Sequence, residues 1–200
     1  MYWNGPGVEI PNLPSWDSLN SMEGQDKWVL TVLGGKQHGT YVEIGSGHPV
    51  MGNNTFVLEN HFGWTGVGVE HDHEMVKEYN STRVNPCMHF DAMAFDYASY
   101  FRNNHFPSQI DYLQIDIDDK PFAANLLALI ALPLTEYRFS TITIEHGLVT
   151  NYKMGPLRDA QRLILSSIGY RLIVQGVNED WWIDETAVPY EKYGYMFQIG

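Results

Sequence analysis

Two periods of apolar residues alternate along this chain. Short β-branched runs such as Ile142-Thr143-Ile144 suit strands covered on both faces, while Leu157, Ala160, Ile164 and Ile168 recur at helical spacing. Strands are expected at Thr40–Ile44, Gly66–Glu70, Pro86–Phe90, Ile110–Ile115, Ser140–Ile144, Tyr170–Gln175 and Tyr193–Ile199. Helices are expected at Asp26–Leu33, Asn54–Phe62, His73–Thr82, Asp96–Asn104, Pro121–Ala131 and Pro156–Ile168. The last is the best marked, since Pro156 presets its first turn and Gly169 caps it. Successive β-α-β units wind right-handed and set the strand ends along one edge. After the final helix the pattern changes: two strands follow with only an aromatic loop, Asn178 to Pro189, between them. That predicts a hairpin at one sheet edge with one strand running against the rest. The reading is an α/β fold with a seven-stranded, mostly parallel sheet, a C-terminal antiparallel hairpin and helices on both faces. Residues 1–20, with Pro6, Pro11 and Pro14, read as an irregular arm that lies across a single domain, 21–200.

The most informative stretch runs from Tyr41 to Asp72. An apolar strand enters Gly45-Ser46-Gly47, a helix follows, and the next strand ends on Glu70 with His71 beside it. Glycines at the end of a buried strand let a ligand lie against bare backbone. A carboxylate at the tip of the next parallel strand can accept the hydroxyls of a ribose. Together they predict an adenosine-containing cofactor at the carboxyl edge of the sheet. The turn reads Gly45-Ser46-Gly47-His48-Pro49-Val50, so Val50 stands where a dinucleotide fingerprint has its third glycine. That tells against a nicotinamide cofactor and favours S-adenosylmethionine, which has no phosphate. Glu43, before the glycines, and Asp116, after the fourth strand, can receive the ammonium end of its methionine tail.

Several blocks in order resemble the FkbM-type methyltransferases. They are Gly24-Gln25-Asp26-Lys27, Gly39 to Gly47, Asn54-Thr55, Leu58-Glu59, Gly63 to Glu70, Asn80-Ser81-Thr82-Arg83, Ile110 to Asp118 and Asn178 to Trp182. The resemblance covers nearly the whole chain from about residue 21. It implies a Rossmann-like class I methyltransferase fold, S-adenosylmethionine as donor and a hydroxyl oxygen as acceptor, on a sugar or natural product. It also places an acid or polar residue near the adenine amino group where Asp91 stands, and Ala92 or Met93 can pack on the ring. Relatives carry Asp and Gly in the turn where this chain has His48 and Pro49.

Methyl transfer to oxygen needs the acceptor aligned and its proton removed. Asp116, His146 and His48 are the candidate general bases. A divalent ion such as Mg2+ is the alternative device, with Asp116, Asp118, Glu145 and His146 at two adjacent strand tips as its ligands. Trp181 and Trp182 read either as acceptor recognition or as hydrophobic cover for the sheet edge.

Composition narrows the partners. The net charge of −12 repels phosphate backbones, which disfavours a nucleic-acid substrate and agrees with the small-molecule acceptor that the resemblance implies. Cys87 is the only cysteine, which excludes an intrachain disulfide and reads as a packed thiol. The most apolar run, Asn125 to Leu134, is too short to cross a bilayer, and the chain reads as cytoplasmic, with no membrane partner. Composition does not bear on oligomeric state.

Overall fold

A computed structural model describes residues 20–117, 122–148, 151–192 and 194. Its centre is a seven-stranded sheet made of β1 (Thr40–Ile44), β2 (Thr65–Glu70), β3 (Cys87–His89), β4 (Gln109–Ile115), β5 (Arg138–Glu145), β6 (Tyr170–Gln175) and β7 (Glu179–Asp184). The order across the sheet is β3-β2-β1-β4-β5-β7-β6. β1 to β5 pair in parallel, and β7 runs antiparallel to both β5 and β6. The sequence order reverses direction between β1 and β4. In an open α/β sheet that switch point leaves a crevice at the carboxyl ends of the strands.

Among the described residues six α-helices cover the two faces: α1 (Gln25–Val32), α2 (Phe56–Phe62), α3 (His73–Thr82), α4 (Tyr97–Asn103), α5 (Ala124–Ala131) and α6 (Gly155–Ser167). Alternation along β1 divides the core. Val42 and Ile44 pack with Phe101 of α4, Leu129 of α5 and Leu165 of α6. Tyr41 packs on the opposite face with Trp28 of α1 and Leu58 of α2. Asp72 caps α3 by accepting from the backbone N–H groups of Glu74 and Met75. Cys87 is buried and its thiol is pushed up to about 12, chiefly by burial. No helix among the described residues is long and apolar enough to cross a membrane.

The seventh strand corrects the sequence reading. Glu179–Asp184, expected within an aromatic loop, is a strand buried at every position. The expected strand Tyr193–Ile199 falls outside the described residues apart from Gly194, as does nearly all of the N-terminal arm. Acids at both ends of the segment, Glu179, Asp180 and Asp184, and two adjacent tryptophans break the apolar alternation that marks a strand. Here Arg162 donates to both oxygens of Asp180, and Arg138 to one oxygen of Asp184. Pairing lets the carboxylates be buried. Trp181 lies between β7 and Trp28 of α1, with ring centroids 5.1 Å apart, and Trp182 belongs to the other core. Both are under 3% exposed, so they cover the sheet and do not reach an acceptor.

Candidate functional site

β1 leads straight into the glycine turn. The Gly45 N–H donates to Val69 O and the Asp116 N–H to Ile44 O, so the turn is fastened to both neighbouring strands. Gly45 has φ +75°, and a Cβ there would sit 1.9 Å from the Asp116 carbonyl oxygen. Gly47 has φ +54°, and a Cβ there would meet nothing within 4 Å. The first glycine is required by the protein's own backbone; the second leaves a bare face on open space. Ser46 is buried, with its hydroxyl donating to Glu43 O.

Glu70 reaches this turn from β2. Its Oε2 accepts from the Gly47 N–H at 3.0 Å, and Oε1 accepts from the N–H groups of His71 and Asp72 and contacts His71 Nδ1 at 3.0 Å. Four bonds hold a carboxylate that is about 90% buried and fix its direction. Oε2, with a single donor, keeps a lone pair toward the cleft.

That cleft, of about 330 Å3, is bordered by Gly45, Gly47, Glu70, His71, Asp91 and Ala92, and by Phe90, Met93, Asp116, Ile117 and Ala124. Asp91 shapes the loop after β3 by accepting from Met93 N at 2.9 Å, which turns Phe90 and Ala92 toward the cavity. Asn125 of α5 holds the loop after β4, accepting from Ile117 N and donating to Ile117 O.

A smaller polar chamber of about 200 Å3 continues on the other side of Gly45, Gly47 and Asp116. Glu43, Asn53, Asn54 and Gln114 line it. Glu43 is buried, and burial pushes its carboxyl up to about 7 against the opposing charge of Arg83. Asn54 Oδ1 and Gln114 Oε1 are buried acceptors with no hydrogen bond. Buried acceptors without donors are rare in folded proteins, and here two of them flank a carboxyl. An ammonium group is the ligand that satisfies all three. The residues present therefore fit S-adenosylmethionine, with Glu70, Asp91 and Ala92 at its adenosine end and Glu43, Asn54 and Gln114 at its amino end.

His48 shows how the substituted turn holds. Its Nδ1 accepts from Val50 N at 3.0 Å and Met51 N at 2.9 Å, as a carboxylate oxygen would in that position. Nε2 lies 3.5 Å from Glu78. Nδ1 is thereby committed to the turn and has no lone pair for a general base.

The rim of β4 and β5 departs from expectation. No group of three or more His, Cys, Asp or Glu among the described residues is placed to hold a metal, and Asp116, Glu145 and His146 are not gathered into one. Asp118, the fourth candidate ligand, lies outside the described residues. Glu145 accepts from the Asn178 side chain. His146 is 2% exposed and absent from the cleft lining, and neither ring nitrogen has a partner in full hydrogen-bond geometry, the Gly176 backbone lying near. Its Nε2 is 3.9 Å from Asp180, and burial holds its pKa below the usual histidine value. Its backbone N–H donates to Asn178 O, so its visible role is to fix the rim. Only Asp116 of these candidates is exposed and lines both chambers.

No family model and no curated protein matches this chain. Its shape has many counterparts among solved structures. They include a TehB-like SAM-dependent methyltransferase from Corynebacterium glutamicum, with TM-score 0.57 and 11% identity, covering 82% of this chain and 89% of that one. The O-methyltransferase from Bacillus cereus, solved in complex with SAH, has TM-score 0.53 and 16% identity, with 84% and 82% covered. A protein provisionally assigned as an rRNA-methylase, from Clostridium thermocellum, has TM-score 0.53 and 12% identity, with 82% and 94% covered. The fold is that of the class I methyltransferases. The antiparallel β7 between β5 and β6 is part of that likeness.

Several residues near the site drew no functional role from the sequence, although Asn54, Gln114 and Glu179 fall within the resemblance blocks. Asn53, Asn54 and Gln114 are ordinary polar residues until the fold brings them to one chamber. Glu179 is another. It faces Glu145 across β5 and β7, and Gln25 Nε2 donates to its Oε2 at 3.1 Å. Its Oε1 has no hydrogen bond, the Trp181 indole N–H lying near without reaching that geometry. Burial pushes this carboxyl up to about 7, so the folded protein holds a proton there that the unfolded chain releases near its ordinary value of 4.5. Stability from this group is therefore full below about 4.5 and falls as pH rises to about 7. Glu179→Gln is expected to remove that fall and to add on the order of 2 kcal/mol at about pH 8, read by thermal unfolding across pH. An unchanged pH profile in the variant would mean the carboxyl is not the buried proton site.

Proposed function

We propose that the chain is an S-adenosylmethionine-dependent methyltransferase of the FkbM type that methylates a hydroxyl on a small glycosidic or natural-product acceptor. One observation carries the reading: two chambers of opposite character meet at Gly45, Gly47 and Asp116 on the switch point of the sheet. One is largely apolar and ends on Glu70; the other holds Glu43 and two orphaned acceptors. When bound, S-adenosylmethionine supplies a methyl group on a sulfonium, already activated for displacement.

The chain's residues then have separate tasks. Glu70 Oε2 accepts from a ribose hydroxyl, and Asp91 with Ala92 borders the adenine. Glu43, Asn54 and Gln114 take the ammonium group. Asp116, exposed at the tip of β4, is the carboxylate best placed to receive the acceptor's hydroxyl proton as the methyl moves. His146 is given no proton transfer, because its ring is buried off the cleft.

A nicotinamide dinucleotide is the poorer fit. It needs its pyrophosphate on a helix N-terminus directly after the glycines, whereas α2 begins only at Phe56 and has seven residues. The net charge of −12 supports a small acceptor over a polyanion. The test is incubation with methyl-labelled donor and panels of hydroxylated sugars, natural products and RNA, beside calorimetric titration with S-adenosylhomocysteine. Label on a sugar or natural product is expected. Label on RNA would overturn the acceptor class, and binding heat without label on any panel would point to a non-catalytic binding module. No heat at all would remove the reading.

A further inference from the structure

We propose that Arg83 is a positioning residue for the donor's amino group, acting through Asn53 on Glu43. The proposal rests on the methyltransferase reading above and adds a role for a residue outside the cleft lining.

Arg83 follows the last turn of α3, and its side chain is fully buried. Nε donates to Glu59 Oε2 at 3.0 Å. Nη1 donates to Pro49 O and Asn53 Oδ1, both at 3.0 Å. Nη2 donates to Tyr41 Oη at 3.2 Å and Thr55 Oγ1 at 3.1 Å. The guanidinium thus has an acceptor for each of its N–H groups, and its carbon stands 4.7 Å from the Tyr79 ring centroid. Two of those acceptors, Pro49 and Asn53, belong to the segment that walls the polar chamber.

Asn53 passes this orientation on. Its Oδ1 also accepts from the Thr55 N–H and hydroxyl, so three donors converge on one amide oxygen. Turning the amide over would set its NH2 against the two N–H donors, from Thr55 and Arg83. Nδ2 must therefore face the other way, where it donates to Glu43 Oε2 at 3.2 Å and Ser46 O at 3.1 Å. Tyr79 donates to the same Glu43 oxygen at 3.3 Å.

Charge works in the same direction. Burial is the largest influence on Glu43 and favours its neutral form; Arg83 is the strongest influence opposing it. The other titratable groups in electrical contact with Glu43 are Tyr41, Tyr79, Tyr112 and Cys87, whose own protons burial retains. Arg83 is the cation of this set. It keeps a share of Glu43 ionised near neutral pH, where an ammonium ligand needs a carboxylate.

A merely structural arginine would affect folding without moving the titration of Glu43. The test uses the full chain. Arg83→Met would leave Glu59 buried and unpaired, so it is combined with Glu59→Gln to keep the buried pair neutral. Asn53→Ala breaks the relay while the Arg83–Glu59 pair stays intact. Carboxyl-labelled glutamate NMR follows Glu43 in the ligand-free protein, and calorimetry follows S-adenosylhomocysteine affinity across pH. The double variant is expected to raise the Glu43 midpoint by at least about one pH unit and to weaken affinity near pH 7 about tenfold. Asn53→Ala is expected to raise it by less, and it decides the matter alone if the double variant does not fold. A midpoint unmoved in every folded variant would overturn the proposal, whatever happens to affinity. A wild-type protein that binds no S-adenosylhomocysteine would remove the functional reading, while the ligand-free titration would still report on the relay.

Discussion

Gly45→Ala is expected to yield no stable protein, whereas Gly47→Ala is expected to fold and lose donor binding. Both residues have positive φ, which costs an alanine about 1 kcal/mol or somewhat more at either position. The surroundings separate them. A methyl group at Gly45 would lie 1.9 Å from the Asp116 carbonyl oxygen, a backbone atom that cannot rotate aside. The Asp116 N–H is bonded to Ile44 O, so relieving the clash means parting β1 from β4 at the centre of the sheet. At Gly47 the same methyl group meets nothing, because it projects into the space that both chambers share. Its cost falls on whatever occupies that space, about 2–3 kcal/mol for one methyl group too many, or about 30- to 150-fold in affinity. Thermal unfolding and titration with S-adenosylhomocysteine measure the two outcomes. If Gly47→Ala bound as tightly as the parent, the glycine turn would not be where the donor passes.

The contrast explains why the sequence reading located this turn and could not weigh its glycines. Strand, glycine turn, helix and acid are local signals, and each survives in the structure with its ends within two residues. β1, α3 and β6 begin and end where periodicity places them. What failed was long-range. β7 was hidden because its acids have arginine partners 18 and 46 residues away, and no local pattern records such pairs. The same holds for the polar chamber. Asn54 and Gln114 become ligand candidates only when β1 and β4 lie side by side, with Glu43 opposite Gln114 in register. The described members of the expected magnesium site are not gathered, for the converse reason. Neighbouring positions on adjacent strand tips suggested convergence, yet the side chains of Glu145 and His146 turn to Asn178 and Asp180. Adjacent tips set where backbones lie; partners in the β6–β7 turn and on β7 decided where the side chains went.

Glu70→Gln tests the adenosine end most sharply, because it conserves volume and changes only hydrogen-bond sense. The native carboxylate accepts on both oxygens: Oε1 from His71 N and Asp72 N, and Oε2 from Gly47 N. An amide has one accepting oxygen. If that oxygen keeps the two donors after β2, its NH2 confronts the Gly47 N–H and presents donors where a ribose hydroxyl must also donate. If the amide turns over, two backbone N–H groups lose their acceptor and the start of α3 loosens. Either arrangement costs a charge-assisted bond to the ligand, and the first adds a donor–donor contact at the glycine turn. The expected loss is about 3 kcal/mol of donor affinity, or roughly 100-fold, with a much smaller change in melting temperature. Titration with S-adenosylhomocysteine and with a ribose-deoxygenated analogue gives the answer. The variant should discriminate between the two ligands far less than the parent, because the group that reads the hydroxyl is gone. Undiminished discrimination would place the ribose elsewhere in the cleft, and Glu70 would then be a residue that merely ties β2 to the glycine turn.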